Sequence, residues 1–116
     1  LWTLYEYETG ELRIPENARE GMIYGGCNCG NCHLTILPTG DVYACRRVQN
    51  SKVGNVFNDR LADLWVCRME QYRDYARFEK CAKCELQPWC RGCPAVASGR
   101  DGSFYAADPQ CWKEVV

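Results

Sequence analysis

The sequence has no run approaching the roughly 18–20 consecutive apolar residues of a membrane-spanning helix. No membrane partner is expected. It lacks a charge excess of either sign: 14 basic and 15 acidic residues leave a formal net charge of −1. A nucleic-acid binder normally presents a basic face, so that class is set aside. No basic start followed by an apolar stretch and a cleavage site marks a secretory signal, and a cytoplasmic location is expected. The chain opens at Leu1 without a methionine and reads as an excised piece. No repeat of about 20–50 residues and no low-complexity segment is visible. These absences leave one domain or two small subdomains. A chain of this size buries only a modest core, so internal staples matter.

Cysteine fills the gap, with 10 in 116 residues. They fall as Cys27, Cys29 and Cys32, then Cys45, Cys67, the run Cys81, Cys84, Cys90, Cys93, and Cys111. The density signals either a disulfide scaffold or a metal protein. Thiolates this close repel one another unless a cation offsets their charge.

Around the cysteines the pattern predicts a small α+β domain of β-hairpins and one main helix, with an irregular cysteine-rich C-terminal half. Residues 2–14 read as a leading hairpin turning at Glu8–Glu11, and Pro15–Gly21 as a connector. A second hairpin pairs His33–Leu37 with Val42–Cys45 around Pro38-Thr39-Gly40-Asp41, a strong turn signal. Residues 59–78 carry Leu61, Leu64, Trp65, Met69, Tyr72, Tyr75 and Ala76 mostly at helical spacing, with Asn58 or Asp59 as the N-cap. Periodicity then stops at Glu79. The division follows: 1–24 a hairpin and connector, 25–78 a hairpin-plus-helix half, 79–116 a cysteine-knuckle half.

Three readings of the cysteines compete. Disulfides suit a small secreted fold, but C-x2-C steps are poorly placed to bridge distant strands. Zinc takes paired knuckles normally separated by roughly 15–20 residues, whereas only five separate Cys84 from Cys90. A zinc-stabilised interaction module without a redox role, using Cys27 and Cys32 with one knuckle, remains the alternative. Iron–sulfur clusters are bulkier and accept ligands from less symmetric spacing, with Pro94 after Cys93 and a distant last cysteine. This reading is preferred.

The order Gly40-x4-Cys45, Cys81-x2-Cys84-x5-Cys90-x2-Cys93 and Cys111, with GDVYAC at 40–45, VGNV at 53–56 and LADLW at 61–65, resembles the SPASM domain. That domain is the C-terminal extension of radical S-adenosylmethionine enzymes that mature ribosomally made peptides. The resemblance covers about residues 25–112. It implies two auxiliary 4Fe-4S clusters for electron transfer or substrate binding. Cys27, Cys32, Cys45 and Cys93 would hold the first, with Cys29 as reserve ligand. Cys81, Cys84, Cys90 and Cys111 would hold the second. It also implies the radical core of the same protein and a peptide substrate as partners. The family usually has three residues between the last two cysteines of the run; here there are two, Arg91 and Gly92. The superfamily's C-x3-C-x2-C motif, which anchors S-adenosylmethionine to its own cluster, is absent. No catalytic residue is assigned, and this stretch alone is not expected to generate a radical.

The remaining residues have plainer readings. Cys67 is expected as a buried thiol packing as a small hydrophobe, and His33 as a hydrogen-bonding neighbour of Cys32. Trp65, Tyr72 and Tyr75 are read as core. Trp89 and Trp112, each beside a cysteine, are read as shields, and Arg46, Arg47 and Arg91 as solvated surface cations. Asp41 and Asp59 are a turn and a cap residue.

Overall fold

A computed structural model describes residues 2–19 and 21–115. The chain groups into two compact units. One is Leu1–Cys27 with Phe78–Val116, and the other is Asn28–Arg77. No helix among the described residues is long and apolar enough to cross a membrane. The α+β class expected from the pattern is what the chain adopts.

In the Asn28–Arg77 unit, β1 (Thr35–Ile36), β2 (Asp41–Tyr43) and β3 (Lys52–Asn55) form an antiparallel sheet in the order β1-β2-β3. The expected hairpin is present, with Thr35 opposite Tyr43 and Ile36 opposite Val42. Its turn closes as the Leu37 carbonyl accepts the Gly40 N–H at 2.8 Å and the Leu37 N–H reaches the Asp41 carbonyl at 2.8 Å. β3 pairs Asn55 with Asp41 and Gly54 with Val42, then shifts register between Val42 and Tyr43. The Asp41 carboxylate accepts from Asn55 Nδ2 and pairs with Lys52, both at 3.0 Å. These partners, Asn55 first, hold its pKa below the usual value. Asp41 therefore binds the sheet together from its turn position.

The single helix expected over 59–78 is instead a broken helical path. α2 (Leu61–Asp63) passes into a π turn at Leu64–Arg68, then 3-10 turns at Glu70–Arg73 and Tyr75–Arg77. The buried residues explain the break. Leu64, Met69 and Tyr72 are all inside, and a five-residue step separates the first two. An ordinary helix drifts off-face over five residues, whereas a π turn's i→i+5 bond keeps both inward. The Met69 N–H does reach the Leu64 carbonyl, at 3.0 Å. Arg73 wraps back onto the Trp65, Val66 and Gly30 carbonyls at 2.7, 3.4 and 3.2 Å. Its guanidinium also lies over the Trp65 ring. The expected side-chain cap is absent: the N-cap is Arg60, and the Asp59 carboxylate takes the Asn55 N–H at 3.0 Å. Trp65 and Tyr75 are half-buried, so only Tyr72 of the three is true core.

In the other unit, the leading hairpin gives way to α1 (Trp2–Thr9). Gly10, read as a hairpin turn, is the helix stop. Its φ is +76°, and the following N–H groups of Glu11 and Leu12 return to the Glu6 carbonyl at 2.8 and 3.0 Å. A left-handed residue is the usual helix terminator and favours glycine. Trp2 Nε1 donates to Glu6 Oε1 one turn on, at 2.8 Å, and Leu4 buries the inner face. These local and burial terms override the aromatic, strand-like composition. A second helix, α3 (Pro94–Asp101), lies where no periodicity was expected. It has Pro94 at its start and Gly102 in the left-handed region past its end. The Phe78, Phe104 and Tyr105 rings meet at centroid distances of 5.5–5.8 Å.

Candidate metal centre

The cysteine run is built on a 3-10 turn at Cys81–Lys83, which brings the Cys84 N–H onto the Cys81 carbonyl at 3.1 Å. Buried Leu86 then anchors the next step, accepting the Cys90 N–H at 2.8 Å. Its own N–H points to the Cys84 sulfur at 3.5 Å. Cys111 is delivered from the far end of the unit, its N–H on the Asp108 carbonyl at 3.0 Å.

The Cys81 thiol feels the charge of its three cysteine neighbours. The Cys81 thiol is pushed up to about 11, first by burial, then by Cys90, Cys84 and Cys111, with Lys80 acting the other way. A half-buried thiol that resists ionisation needs a cation beside it to become a thiolate, which is what a bound iron–sulfur group would supply. Among the described residues, no three Cys, His, Asp or Glu side chains close around a single ion. Lys80 adds a fixed cation, its Nζ donating to the Cys111 carbonyl at 3.2 Å and the Cys111 sulfur at 3.3 Å.

Two further cysteines of this unit are held by buried charges that sequence reasoning missed. Arg91, read as a surface cation, is only 3 % exposed. Its guanidinium donates to the Gln87, Gly25 and Cys27 carbonyls at 2.8, 2.8 and 2.9 Å. Asp108 is 5 % exposed and takes the Cys93 and Gln110 N–H groups, both at 2.8 Å. An Asp followed by Pro109 two residues before that Gln110 N–H is an Asx-turn signal, so this residue was legible. Gly92 permits the approach: its φ is +62°, and an added Cβ would lie 2.7 Å from the Asp108 Cβ. The two-residue step from Cys90 to Cys93 is thus filled by one inward fork and one glycine.

Aromatic and charged neighbours surround the knuckle. Trp89 is half-buried and stacks on Tyr24 at 5.8 Å. Trp112 is 51 % exposed, with its indole N–H on Glu8 at 2.7 Å, so it faces solvent more than a shield would. Tyr7 Oη donates to Glu85 at 2.9 Å, and Lys113 pairs with the same carboxylate at 3.2 Å. These two partners, Tyr7 first, lower the Glu85 pKa, and Glu85 in turn raises those of Tyr7 and Lys113.

The Asn28–Arg77 unit carries the other cysteines. Cys29 is buried and its thiol donates to the Ala44 carbonyl at 3.2 Å. Cys32 is exposed and Cys45 half-buried. Ser51, fully buried, bonds both the N–H and the carbonyl of Cys45, at 3.3 and 3.0 Å. His33 is a hydrogen-bonding residue, its Nε2 3.3 Å from Thr35 Oγ1. Arg46 and Arg47 are exposed as expected. Cys67 is exposed rather than buried, because the π turn that faces Leu64 and Met69 inward turns Cys67 out. It lines a shallow cleft of about 530 Å³ with Arg68, Glu70, Gln71, Arg73 and Asp74.

Comparison with known proteins gives the family. Residues 27–94 match the SPASM family, described as an iron-sulfur cluster-binding domain. Two curated proteins are similar, both named AdoMet-dependent heme synthase, from Nitratidesulfovibrio vulgaris and Oleidesulfovibrio alaskensis. Each is 31% identical over 108 residues, 90% of this chain. The alignments take in 29% and 27% of those proteins, so the chain spans under a third of the length of the relatives it matches. No solved structure matches it.

Proposed function

Because the chain belongs to the SPASM family of iron–sulfur cluster-binding domains, we propose that it serves as the auxiliary cluster domain of a radical S-adenosylmethionine enzyme. It would hold two 4Fe-4S clusters, which carry electrons to or from the reaction or help to seat the substrate. Cys81, Cys84, Cys90 and Cys111 would ligate the second cluster. The observation that carries this assignment is the Cys81–Lys83 turn beside Lys80, whose Nζ lies 3.3 Å from the Cys111 sulfur, with the charge of Cys90, Cys84 and Cys111 reaching Cys81. Cys27, Cys93, Cys32 and Cys45 would ligate the first, with Cys29 in reserve. When bound, each cluster supplies a one-electron centre.

The chain's own residues set the conditions for that chemistry. Lys80 offsets charge at Cys111, and the Leu86 N–H does so more weakly at Cys84. Such contacts to ligating sulfurs raise a cluster's potential. The radical core, with S-adenosylmethionine and its own cluster, would belong to another part of the protein, and this domain would be inactive without it. The peptide substrate implied by the family resemblance has no support from the two relatives, whose names point to haem synthesis. A haem precursor is therefore the substrate class we assign to the whole enzyme.

Anaerobic reconstitution of the chain with iron and sulfide tests the core of this reading. About eight irons per chain, visible charge-transfer absorbance bleached by dithionite and Mössbauer signals of 4Fe-4S clusters are expected. Colourless protein retaining about two zinc ions would overturn it in favour of a structural zinc module.

A further inference from the structure

Arg91 is the most deeply buried cation near the cysteines, at 3 % exposed. Burying a guanidinium is costly, and its planar fork repays that cost only where several acceptors sit in fixed directions. Here Nη2 spans the Gly25 and Cys27 carbonyls while Nη1 takes Gln87. The loop comes close enough because its middle residue is Gly26. An added Cβ there would stand 3.2 Å from both Arg91 Nη2 and the Trp89 carbonyl, at a φ of +85°. On the chain's other side of Arg91, Asp108 fixes the Cys93 N–H at 2.8 Å. The backbones of Cys27 and Cys93 are thereby both tied to buried charges.

We propose that Arg91 is a positioning residue for the first cluster, pre-forming the ligand places of Cys27 and Cys93 by clamping the Gly25–Cys27 loop to the Cys90–Cys93 segment. The proposal rests on the reading above, in which these two cysteines share a cluster. The second cluster's four ligands make no use of the clamp's Cys27 arm, so the two clusters differ in their dependence on Arg91.

The test is anaerobic reconstitution of the wild-type chain, R91Q, R91K and, as the reference for losing the first cluster, C27S. Iron and sulfide are counted, and the reduced clusters are followed by EPR-monitored redox titration. R91Q is expected to retain about half the native iron and to lose the same EPR signal that C27S loses. The surviving signal should keep its native g-values and midpoint. R91K keeps the charge but not the two-carbonyl fork, and should lose that signal too. Native loading of both clusters by R91Q overturns the proposal. Native loading by R91K alone reduces Arg91 to a counter-charge and overturns it as well. Loss of both clusters together in R91Q and R91K, with C27S losing only one, marks a general folding role and also overturns it. A wild-type chain without two clusters defeats the proposed function itself, and the inference with it, before any variant is compared.

Discussion

The Lys80 ammonium, 3.3 Å from the Cys111 sulfur, is a fixed positive charge at one corner of the proposed second cluster. Replacing it by methionine (K80M) removes that charge and its hydrogen bond to the Cys111 sulfur, leaving more negative charge on the cluster. The second cluster's midpoint should move to more negative potential, and its affinity for the site should fall by about 10- to 100-fold, as for other residues supporting metal ligands. Redox titration against the wild type checks the first, and competition with an iron chelator the second. An unchanged midpoint would remove Lys80 from the cluster's electrostatics. Cys81 gives a pH signature. Its thiol rises from 9.0 to about 11 on folding of the metal-free chain, chiefly by burial and then by its cysteine neighbours. The folded state thus holds a proton that the unfolded chain has released, so stability is full below about pH 9 and lost as pH rises through 11. Thermal melts of metal-free protein should show that decline, and C81A should remove it. Cluster binding was legible because the cysteine spacing is a metal-site code, and the family match agrees with it. Arg91 was not, since arginine is usually a surface residue and only the fold supplies three carbonyls to bury it.

Among the elements, the β1–β2 hairpin was readable because a Pro-Thr-Gly-Asp turn between alternating residues fixes its register locally. The segment 2–9 was not. Its aromatics suit a strand, and its helical state rests on Leu4 being buried and on Gly10 ending the helix. α3 carried its own start and stop, Pro94 and Gly102, but those signals sit in the shadow of the cysteine run. The broken path over residues 61–77 shows a third case: the apolar stripe is real, yet its five-residue step from Leu64 to Met69 demands a π turn. Met69 is fully buried at that junction. Met69→Ala should cost about 2–5 kcal/mol, the range for emptying such a core site. Chemical denaturation of the cluster-loaded chain measures it. A loss below about 0.5 kcal/mol, the range of surface substitutions, would mean the π turn is not held by this side chain.

At the scale of the molecule, little of the chain is held by long regular structure, and the sheet's strands run for only two to four residues. A chain this small gains much of its stability from what its cysteines bind. Stripping iron with a chelator under oxidising conditions should therefore lower the melting temperature sharply. At ~4–8 °C per kcal/mol for a domain near this size, even a ~2 kcal/mol contribution is a shift of roughly 8–16 °C. Equal melting of loaded and stripped protein would show that the clusters are passengers. The clamp between Arg91 and the Cys27 carbonyl joins groups 64 positions apart, and that separation has a consequence for synthesis on the ribosome. Cys27 emerges first and must wait for Arg91 to leave the exit tunnel before its place is formed. Under the proposed clamp, iron delivered before Arg91 has emerged would find no finished first site, so that cluster would load only after Arg91 is out, and a chain terminated before Arg91 would not hold it.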